Sequence, residues 1–224
     1  MLYFIPIVGF ILYLIIGQDY HKNKMFKAKE IEGELKYAVR RQEETIYHRQ
    51  LKMTSPALNR FRDLVLYNLE AGQAVLTDNN DIRIYTDGKE KFHALIEEMK
   101  RAKKYIHVQY YIIRNDEVWQ DIEKVLIEKA HEGVEVRVLF DSMGCRTMHK
   151  RDWDRLKCEG IRVAEFFPAI LGQLQMRVNY RNHRKIVVID GKVGFVGGFN
   201  VGREYIGKDE KFGYWRDTHL CIEG

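Results

Sequence analysis

The sequence contains few cysteines and prolines and no long run of charge of one sign. Its three cysteines, Cys145, Cys158 and Cys221, lie far apart and form no CxxC pair, which argues against a zinc knuckle or a disulfide framework. This usage favours a reducing, cytosolic setting. The 37 Lys and Arg residues against 32 Asp and Glu give a net charge of +5. Because these charges are intermixed, no segment resembles a nucleic-acid-binding tail.

Internal repeats, low-complexity tracts and proline-rich linkers are also absent from the sequence. At 224 residues, the chain can form one substantial α/β domain, or a small domain with appendages. Residues 2–17, LYFIPIVGFILYLIIG, differ from the rest because they carry no charge. As a helix this run spans about 24 Å, which is short of the ~30 Å hydrocarbon core but bridgeable by local thinning.

The apolar run predicts a membrane anchor over residues 1–20, with a buried core helix as the alternative. A signal peptide would need a basic region before the run and a small-residue cleavage site after it, and neither is present. Four lysines then follow without an acidic residue between them: Lys22, Lys24, Lys27 and Lys29. The positive-inside rule therefore predicts a cell-membrane protein whose downstream domain is cytoplasmic. Residues 21–72 predict a juxtamembrane helical region, either a basic amphipathic helix on the membrane surface or a solvated linker helix.

Beyond Gly72, the spacing of apolar residues alternates between strand and helix periods, which predicts the order β-α-β-α-β within a domain of residues 73–224. The order implies a parallel or mixed sheet covered by helices. Residues 167–182 have no clean period and indicate a loop that approaches a site. The predicted strands are residues 82–86, 105–113, 134–140, 161–166, 185–189 and 193–196.

The most informative stretch is residues 182–205, NHRKIVVIDGKVGFVGGFNVGREY, in which Asp190-Gly191 separates two apolar runs. Such a dipeptide is a strong signal for a two-residue hairpin turn. Because side chains alternate between the faces of a strand, His183 and Lys185 point the same way. An imidazole and an ammonium are therefore predicted to share one surface.

The predicted hairpin also fixes a register between its strands. If Ile189 pairs with Lys192, His183 lies opposite Gly198, whose missing side chain leaves open space beside the imidazole. Asn200 falls on the same face if the chain stays extended. A histidine, a positive charge and an amide donor predict an anion-binding pocket, and the glycine allows a phosphate to approach the backbone.

The spacing His183-x-Lys185-x4-Asp190, followed by GGFN at residues 197–200, resembles the HKD signature and GGxN continuation of the phospholipase D superfamily. Five longer runs are similar to bacterial cardiolipin synthases: YRNHRKIVVIDGK, VGGFNVGREY, KFGYWRDTHLCIEG, YTDGKEKFHALIEEM and IHVQYYIIRNDE. The likeness covers essentially the whole chain and corresponds to the N-terminal half, with the first HKD motif only. It implies an α/β phospholipase D-like lobe, with a mixed β-sheet flanked by helices and preceded by a transmembrane helix and a basic amphipathic helix.

The resemblance implies roles for individual residues. His183 resembles the histidine that either attacks the phosphodiester phosphorus or protonates the leaving alcohol, and both roles stay open. Lys185, Gly198 and Asn200 would bind the phosphate. Asp217 resembles the carboxylate that hydrogen-bonds the catalytic imidazole, and such a group orients the ring, fixes its tautomer and stabilises the imidazolium.

Two sets of residues near the motif favour a structural interpretation. Asp190 belongs to the signature and is a candidate catalytic residue, but its place in the turn favours a role in holding the hairpin. Residues 141–144, Asp-Ser-Met-Gly, follow a strand, and an ordinary turn is favoured over a lining of the site.

The other histidines form no HExxH or metal-ligand cluster, so neither a metal nor another cofactor is predicted.

The reaction implied by the resemblance is phosphatidyl transfer between two phosphatidylglycerol molecules, which yields cardiolipin and glycerol through a phosphatidyl-histidine. The expected partners are phosphatidylglycerol or another anionic phospholipid and the membrane, and no nucleic acid. The superfamily uses two HKD motifs, so the chain is expected to be catalytically incomplete without a second lobe, either covalent, in trans or in a homodimer. Two alternatives remain: a single-HKD phosphodiesterase or nuclease that acts as a homodimer, and a non-enzymatic membrane protein that binds anionic lipid or a partner chain.

Overall fold

The computed structural model describes residues 6–7, 9–10, 36–42, 44–45, 56–72, 74–77, 79–166 and 181–224. Most of the predicted anchor over residues 1–20, and residues 167–180 of the predicted loop, lie outside the described residues. Within the part of the chain that is described, no helix combines the length and the apolar character needed to cross a bilayer. The anchor therefore stays a prediction.

Residues 18–80 form one compact unit, in which the described elements are helical. Its helices are residues 36–42 and 44–45, α1 (Pro56–Arg60) and α2 (Arg62–Gly72). A turn at Phe61 separates α1 from α2. Val39 and Leu69 are buried at the centre of this unit.

Residues 81–224 belong to a second compact unit, which is built on a mixed sheet of seven strands. Its elements are β1 (Asp81–Tyr85), α3 (Gly88–Arg101), β2 (Tyr105–Tyr110), α4 (Glu117–His131), β3 (Glu135–Asp141), α5 (Lys150–Cys158), β4 (Arg162–Phe166), β5 (Ile186–Ile189), β6 (Val193–Gly197), a 3-10 helix (Arg203–Ile206) and β7 (His219–Glu223). The predicted β-α-β-α-β order and mixed sheet are confirmed, with strand ends within three residues of those predicted.

The sheet has the strand order β1-β7-β6-β5-β2-β3-β4 and is parallel on one side only. β2, β3 and β4 run parallel, since a helix connects each strand to the next. β2 pairs antiparallel with β5, and β5, β6, β7 and β1 continue antiparallel. The carboxyl ends of β2 and β3 therefore lie side by side, at the end of the sheet where open α/β folds bind ligands.

The helices of this unit begin at capping residues and pack against the sheet. Asp87 and Asp116 are the N-caps of α3 and α4, and each carboxylate accepts hydrogen bonds from two backbone N–H groups of its helix. Leu95, Ile122 and Ile106 are completely buried in one hydrophobic core that joins helices to strands. Truncation of such a side chain to Ala costs about 2–5 kcal/mol, so this core holds the strand ends in place.

The hairpin between β5 and β6 differs from the predicted one. Ile189 pairs with Val193 rather than with Lys192, so the loop has three residues instead of two. Asp190 and Gly191 both have positive φ, 55° and 70°, and the Lys192 N–H closes the turn on the Ile189 carbonyl at 3.0 Å. Because strand pairing resumes one residue after that bond, the predicted register is wrong by one residue.

Candidate active site

His183 and Lys185 lie just before β5, next to the carboxyl end of β2, and their side chains meet as strand alternation predicts. The Lys185 Nζ is 2.8 Å from the Nδ1 of His183 and 2.6 Å from the His183 carbonyl oxygen, to which it donates. An ammonium can only donate, so Nδ1 is the acceptor and the neutral ring carries its proton on Nε2. The lysine is 5% exposed, whereas the histidine is exposed. The His183 ring is thus accessible to a ligand, whereas the Lys185 ammonium is buried and fixed by its two contacts with His183.

The two side chains influence each other's ionisation. Burial and the adjacent Lys185 lower the pKa of His183 below its ordinary value, and Asp141 acts in the opposite direction. Burial also lowers the pKa of Lys185, against the effect of Asp217. The shift at the ring favours the neutral imidazole at neutral pH, which is the form that a nucleophile or a general base requires.

Tyr111 adds an aromatic wall to the site, although no motif in the sequence singles it out. Its ring lies 4.3 Å from the His183 ring, measured between centroids, with an interplanar angle of 40°. The Lys185 Nζ is 5.4 Å from the centroid of Tyr111, within the range of a cation–π interaction. The sequence feature that could have identified Tyr111 is its position directly after β2, at the ligand-binding end of a parallel strand.

Asp217 lies beside Gly198, and its carboxylate acts electrostatically on Lys185. A Cβ atom at Gly198 would come within 2.0 Å of the Asp217 Oδ1, so the prediction of open space beside the imidazole at Gly198 is wrong. The Asp217 Oδ1 accepts a hydrogen bond of 2.7 Å from the Thr218 N–H, and the Nδ1 of His183 contacts Lys185. A hydrogen bond from the imidazole to Asp217 stays a prediction.

Asn200 is buried, and its amide has a partner on each side. The Oδ1 accepts from the Ile112 N–H at 3.0 Å, and the Nδ2 donates to the Tyr205 hydroxyl at 2.9 Å. These bonds tie the segment after β6 to the segment after β2 and fix the orientation of the amide. An amide nitrogen carries two hydrogens, so phosphate binding by the second one stays a prediction.

Asp190 lies at the opposite end of β5 from His183 and joins the hairpin turn to the start of β2. Its carboxylate accepts hydrogen bonds from the N–H groups of Lys103 (2.8 Å), Lys104 (2.8 Å) and Tyr105 (2.9 Å). Burial acts to raise the pKa of Asp190, but these three N–H groups outweigh it, and the pKa lies below its ordinary value. These contacts support the structural role that its place in the turn predicts.

Residues 141–144 form a turn after β3, as the sequence favours. The Asp141 carboxylate closes it by accepting from the N–H groups of Met143 (2.9 Å) and Gly144 (3.2 Å). Gly144 is required there because a Cβ would come within 1.9 Å of the Tyr111 carbonyl oxygen. The turn is therefore packed against the segment that carries the aromatic wall.

Two further titratable side chains of this unit, His219 and Lys91, are completely buried. Burial, together with Lys91 and Lys185, lowers the pKa of His219 to about 2. The Lys91 Nζ donates to the Tyr110 hydroxyl at 2.8 Å and lies 3.9 Å from the centroid of the Phe92 ring, and burial lowers the pKa of Lys91 well below its ordinary value. Both shifts favour the neutral forms of these two side chains.

The site thus presents an accessible imidazole, a fixed cation and an aromatic ring. This set suits an anion, and a phosphate or phosphodiester in particular, because the ammonium can bind an oxygen while the imidazole reaches the phosphorus. Among the residues that the structure describes, no group of three or more His, Cys, Asp or Glu side chains is arranged to hold a metal ion.

Comparisons with known proteins identify the family. Residues 95–212 match the family model described as cardiolipin synthase, PLD-like domain. The chain is 46% identical over 225 residues to cardiolipin synthase 2 of Staphylococcus epidermidis, a match that covers 100% of this chain and 46% of the relative. It is also 46% identical over 225 residues to the cardiolipin synthase of Oceanobacillus iheyensis, with 100% and 47% covered. The chain spans about half the length of these curated relatives.

Among solved structures, the chain is similar to phosphatidylserine synthase of Haemophilus influenzae, with a TM-score of 0.49 and 18% identity, over 64% of this chain and 33% of that chain. The family match takes in more than half of the sequence and includes His183, Lys185, Asp190 and Asn200. The chain therefore belongs to the cardiolipin synthase family of phospholipase D-like domains.

Proposed function

We propose that the chain provides one histidine-bearing half of the active site of a phosphatidyltransferase that makes cardiolipin from two phosphatidylglycerol molecules. The observation that carries the proposal is the 2.8 Å contact between the accessible imidazole of His183 and the buried ammonium of Lys185. A ring nitrogen and a cation this close suit attack on a phosphodiester, whose non-bridging oxygens the cation stabilises. The relatives named cardiolipin synthase favour a phospholipid as the substrate.

In the proposed reaction, the bound phosphate draws the Lys185 ammonium from Nδ1 onto its own oxygens, and the ring proton moves from Nε2 to Nδ1. The freed Nε2 lone pair then attacks the phosphorus of the first phosphatidylglycerol. The bond from phosphorus to the glycerol head-group oxygen breaks, and a second acid protonates the departing glycerol. A head-group hydroxyl of the second phosphatidylglycerol then attacks the phosphatidyl-histidine and returns its proton to the same acid, which releases cardiolipin and the free histidine. The lowered pKa of His183 favours it as the nucleophile, with Lys185 and Asn200 on the phosphate oxygens.

The two roles need two groups, because the nucleophile carries the phosphatidyl group while the acid transfers a proton. His219 is unsuited to the second role, since it is completely buried and its pKa is about 2. We therefore expect a second histidine-bearing lobe, from the same polypeptide, from another chain or from a second copy in a homodimer.

The substrates place the reaction at a membrane surface, because both are lipids. We expect the predicted anchor in residues 1–20 to hold the catalytic domain at the cytoplasmic face of the cell membrane. The expected partners are phosphatidylglycerol and other anionic phospholipids.

The test is a chimera in which this chain replaces the matched 225 residues of the Staphylococcus epidermidis relative. It is produced in cells that make phosphatidylglycerol but no cardiolipin, and lipid extracts are analysed by mass spectrometry. We expect cardiolipin with the chimera and none with its His183→Ala variant. His131→Ala is the matched control, because it removes an exposed histidine that pairs with Glu159 at 2.7 Å, and it retains activity. Cardiolipin that persists without the His183 ring refutes the proposal.

Assays of the 224-residue chain by itself separate the remaining alternatives. Cardiolipin formation by a monomer contradicts the need for a second half-site. Hydrolysis of a model phosphodiester or DNA by a two-fold dimer, without lipid transfer, identifies a single-motif phosphodiesterase. If His183→Ala changes nothing in any assay, including those of the chimera, the role is non-enzymatic.

A further inference from the structure

Asp141, the last residue of β3, is a carboxylate with 0% exposure beside the candidate active site. The register of β2 and β3 pairs Tyr110 with Phe140, so Asp141 lies next to Tyr111, whose ring packs on His183. A charged group this deeply buried is costly unless its oxygens are hydrogen-bonded. Its partners therefore show which part of the chain it holds.

The two oxygens of Asp141 join two separate segments of the chain. One oxygen, Oδ1, accepts from the N–H groups of the turn that follows β3. The other, Oδ2, accepts from the N–H of Asn182 at 3.0 Å, across 41 residues of sequence. Asn182 directly precedes His183. A single buried carboxylate thus fixes the backbone from which the imidazole projects.

Asp141 also places a negative charge near the imidazole. Among the groups around the ring, Lys185 favours the neutral form and Asp141 favours the protonated form, while Tyr111 packs against the ring. The Arg181 guanidinium, with a side chain 10% exposed, lies 3.9 Å from the Asp141 carboxylate and belongs to the same cluster. During the proposed reaction the His183 ring becomes cationic, whether it acts as the nucleophile that carries the phosphatidyl group or as the acid that carries a proton. A nearby buried carboxylate stabilises the cationic ring.

We propose that Asp141 is a positioning residue for His183, which anchors the Asn182 backbone to the end of β3 and holds a buried negative charge that stabilises the cationic imidazole. The geometric basis is the hydrogen bond from the Asn182 N–H to the Asp141 carboxylate, one residue before His183. The catalytic benefit rests on the proposed function. The anchor and the charge effect are properties of the protein without substrate.

The test is a pH titration of the His183 ring by NMR in the full 224-residue chain, with its signals assigned through His183→Ala. We expect Asp141→Asn to lower the pKa of His183, because a neutral amide no longer favours the imidazolium. Asp87→Asn is the matched control, since Asp87 also accepts two backbone N–H groups, those of Lys89 and Glu90, and it leaves the titration unchanged. A folded Asp141→Asn protein in which the His183 titration is unchanged overturns the proposal.

If Asp141→Asn does not fold, the wild-type chain supplies a second measurement. Hydrogen exchange at the Asn182 amide is expected to be at least about tenfold slower than at an unprotected amide, because a buried carboxylate holds that N–H. Exchange at the unprotected rate overturns the anchor. Neither readout involves lipid transfer, so failure of this proposal is distinguishable from failure of the proposed function.

Discussion

Replacement of Asp190 by Asn tests whether a residue of the HxKxxxxD signature acts through the fold rather than through the chemistry. The Asp190 carboxylate accepts three backbone N–H groups at 2.8–2.9 Å and so attaches the hairpin turn to the start of β2. Asn keeps the size of the side chain and tolerates the φ of 55° at this position. It differs by losing the charge and by replacing one accepting oxygen with an NH2 group, which cannot accept a hydrogen bond.

The expected loss of stability follows from these hydrogen bonds. A hydrogen bond to a charged group contributes about 1.5–3 kcal/mol, and the half-buried position of Asp190 favours the lower end of this range. We expect Asp190→Asn to lower the free energy of unfolding by about 1–2 kcal/mol, because the two bonds on one oxygen persist in weaker form. Asp190→Ala loses all three bonds and also the tolerance of positive φ, so the expected loss is about 3 kcal/mol.

The assay is urea unfolding followed by tryptophan fluorescence. The pKa of Asp190 in the folded protein lies below its unfolded value of about 3.9, so its stabilisation is present above that pH and is lost as the pH falls through the folded pKa. The difference between wild type and Asp190→Asn is therefore expected at neutral pH and shrinks below about pH 4. The control Asp81→Asn, at an exposed position of β1, stays within about 0.5 kcal/mol of wild type.

Two results would refute this reasoning. One is an Asp190→Asn protein as stable as wild type at neutral pH. The other is a chimera with Asp190→Asn that is fully folded yet as inactive as His183→Ala, which would assign the carboxylate to the chemistry.

Three further substitutions probe the surroundings of the site. Gly198→Ala forces its Cβ onto the Asp217 carboxylate and is expected to lower the free energy of unfolding, measured by thermal unfolding, by about 1–3 kcal/mol. Gly194→Ala is the neutral control, because a Cβ at Gly194 would meet no atom within 4 Å. Equal effects of the two substitutions contradict the close packing of Gly198 against Asp217. Lys91→Met is expected to flatten the rise of stability as the pH increases toward about 10, because a buried lysine with a lowered pKa leaves the unfolded chain binding more protons. Urea unfolding measures this slope, and an unchanged slope contradicts the expectation. Tyr111→Leu is expected to lower kcat of the chimera by about fivefold, since ring packing on the imidazole contributes about 1 kcal/mol. Tyr111→Phe is expected to stay near wild type, and a fully active Leu variant rules out the aromatic wall.

The order of elements could be predicted from the sequence because it depends on local patterns. Alternating burial in β2, where Ile106, Val108 and Tyr110 are buried, matches its apolar period. The hairpin register could not be predicted, because Asp190-Gly191 permits two loop lengths and the choice depends on how Lys192 closes the turn.

The site was predictable only where local geometry determines it. Strand alternation is enough to bring His183 and Lys185 together, since they are two residues apart. Tyr111 and Asp141 reach the same place from other strands, through a sheet whose pairing no short pattern encodes. A lysine such as Lys91 looks solvent-facing in a helical pattern, and its burial depends on a hydroxyl partner supplied by the neighbouring strand.

The most direct test of the central claim, that His183 and Lys185 bind the phosphodiester of a phospholipid, is a titration of the full chain with short-chain phosphatidylglycerol, followed through the NMR signals of the His183 ring. We expect these signals to move and saturate in wild type and in Lys192→Met, a control that removes an exposed lysine from the hairpin turn, and to stay unchanged in Lys185→Met. Ring signals that do not respond to the lipid, or that respond equally without the Lys185 ammonium, would contradict the claim.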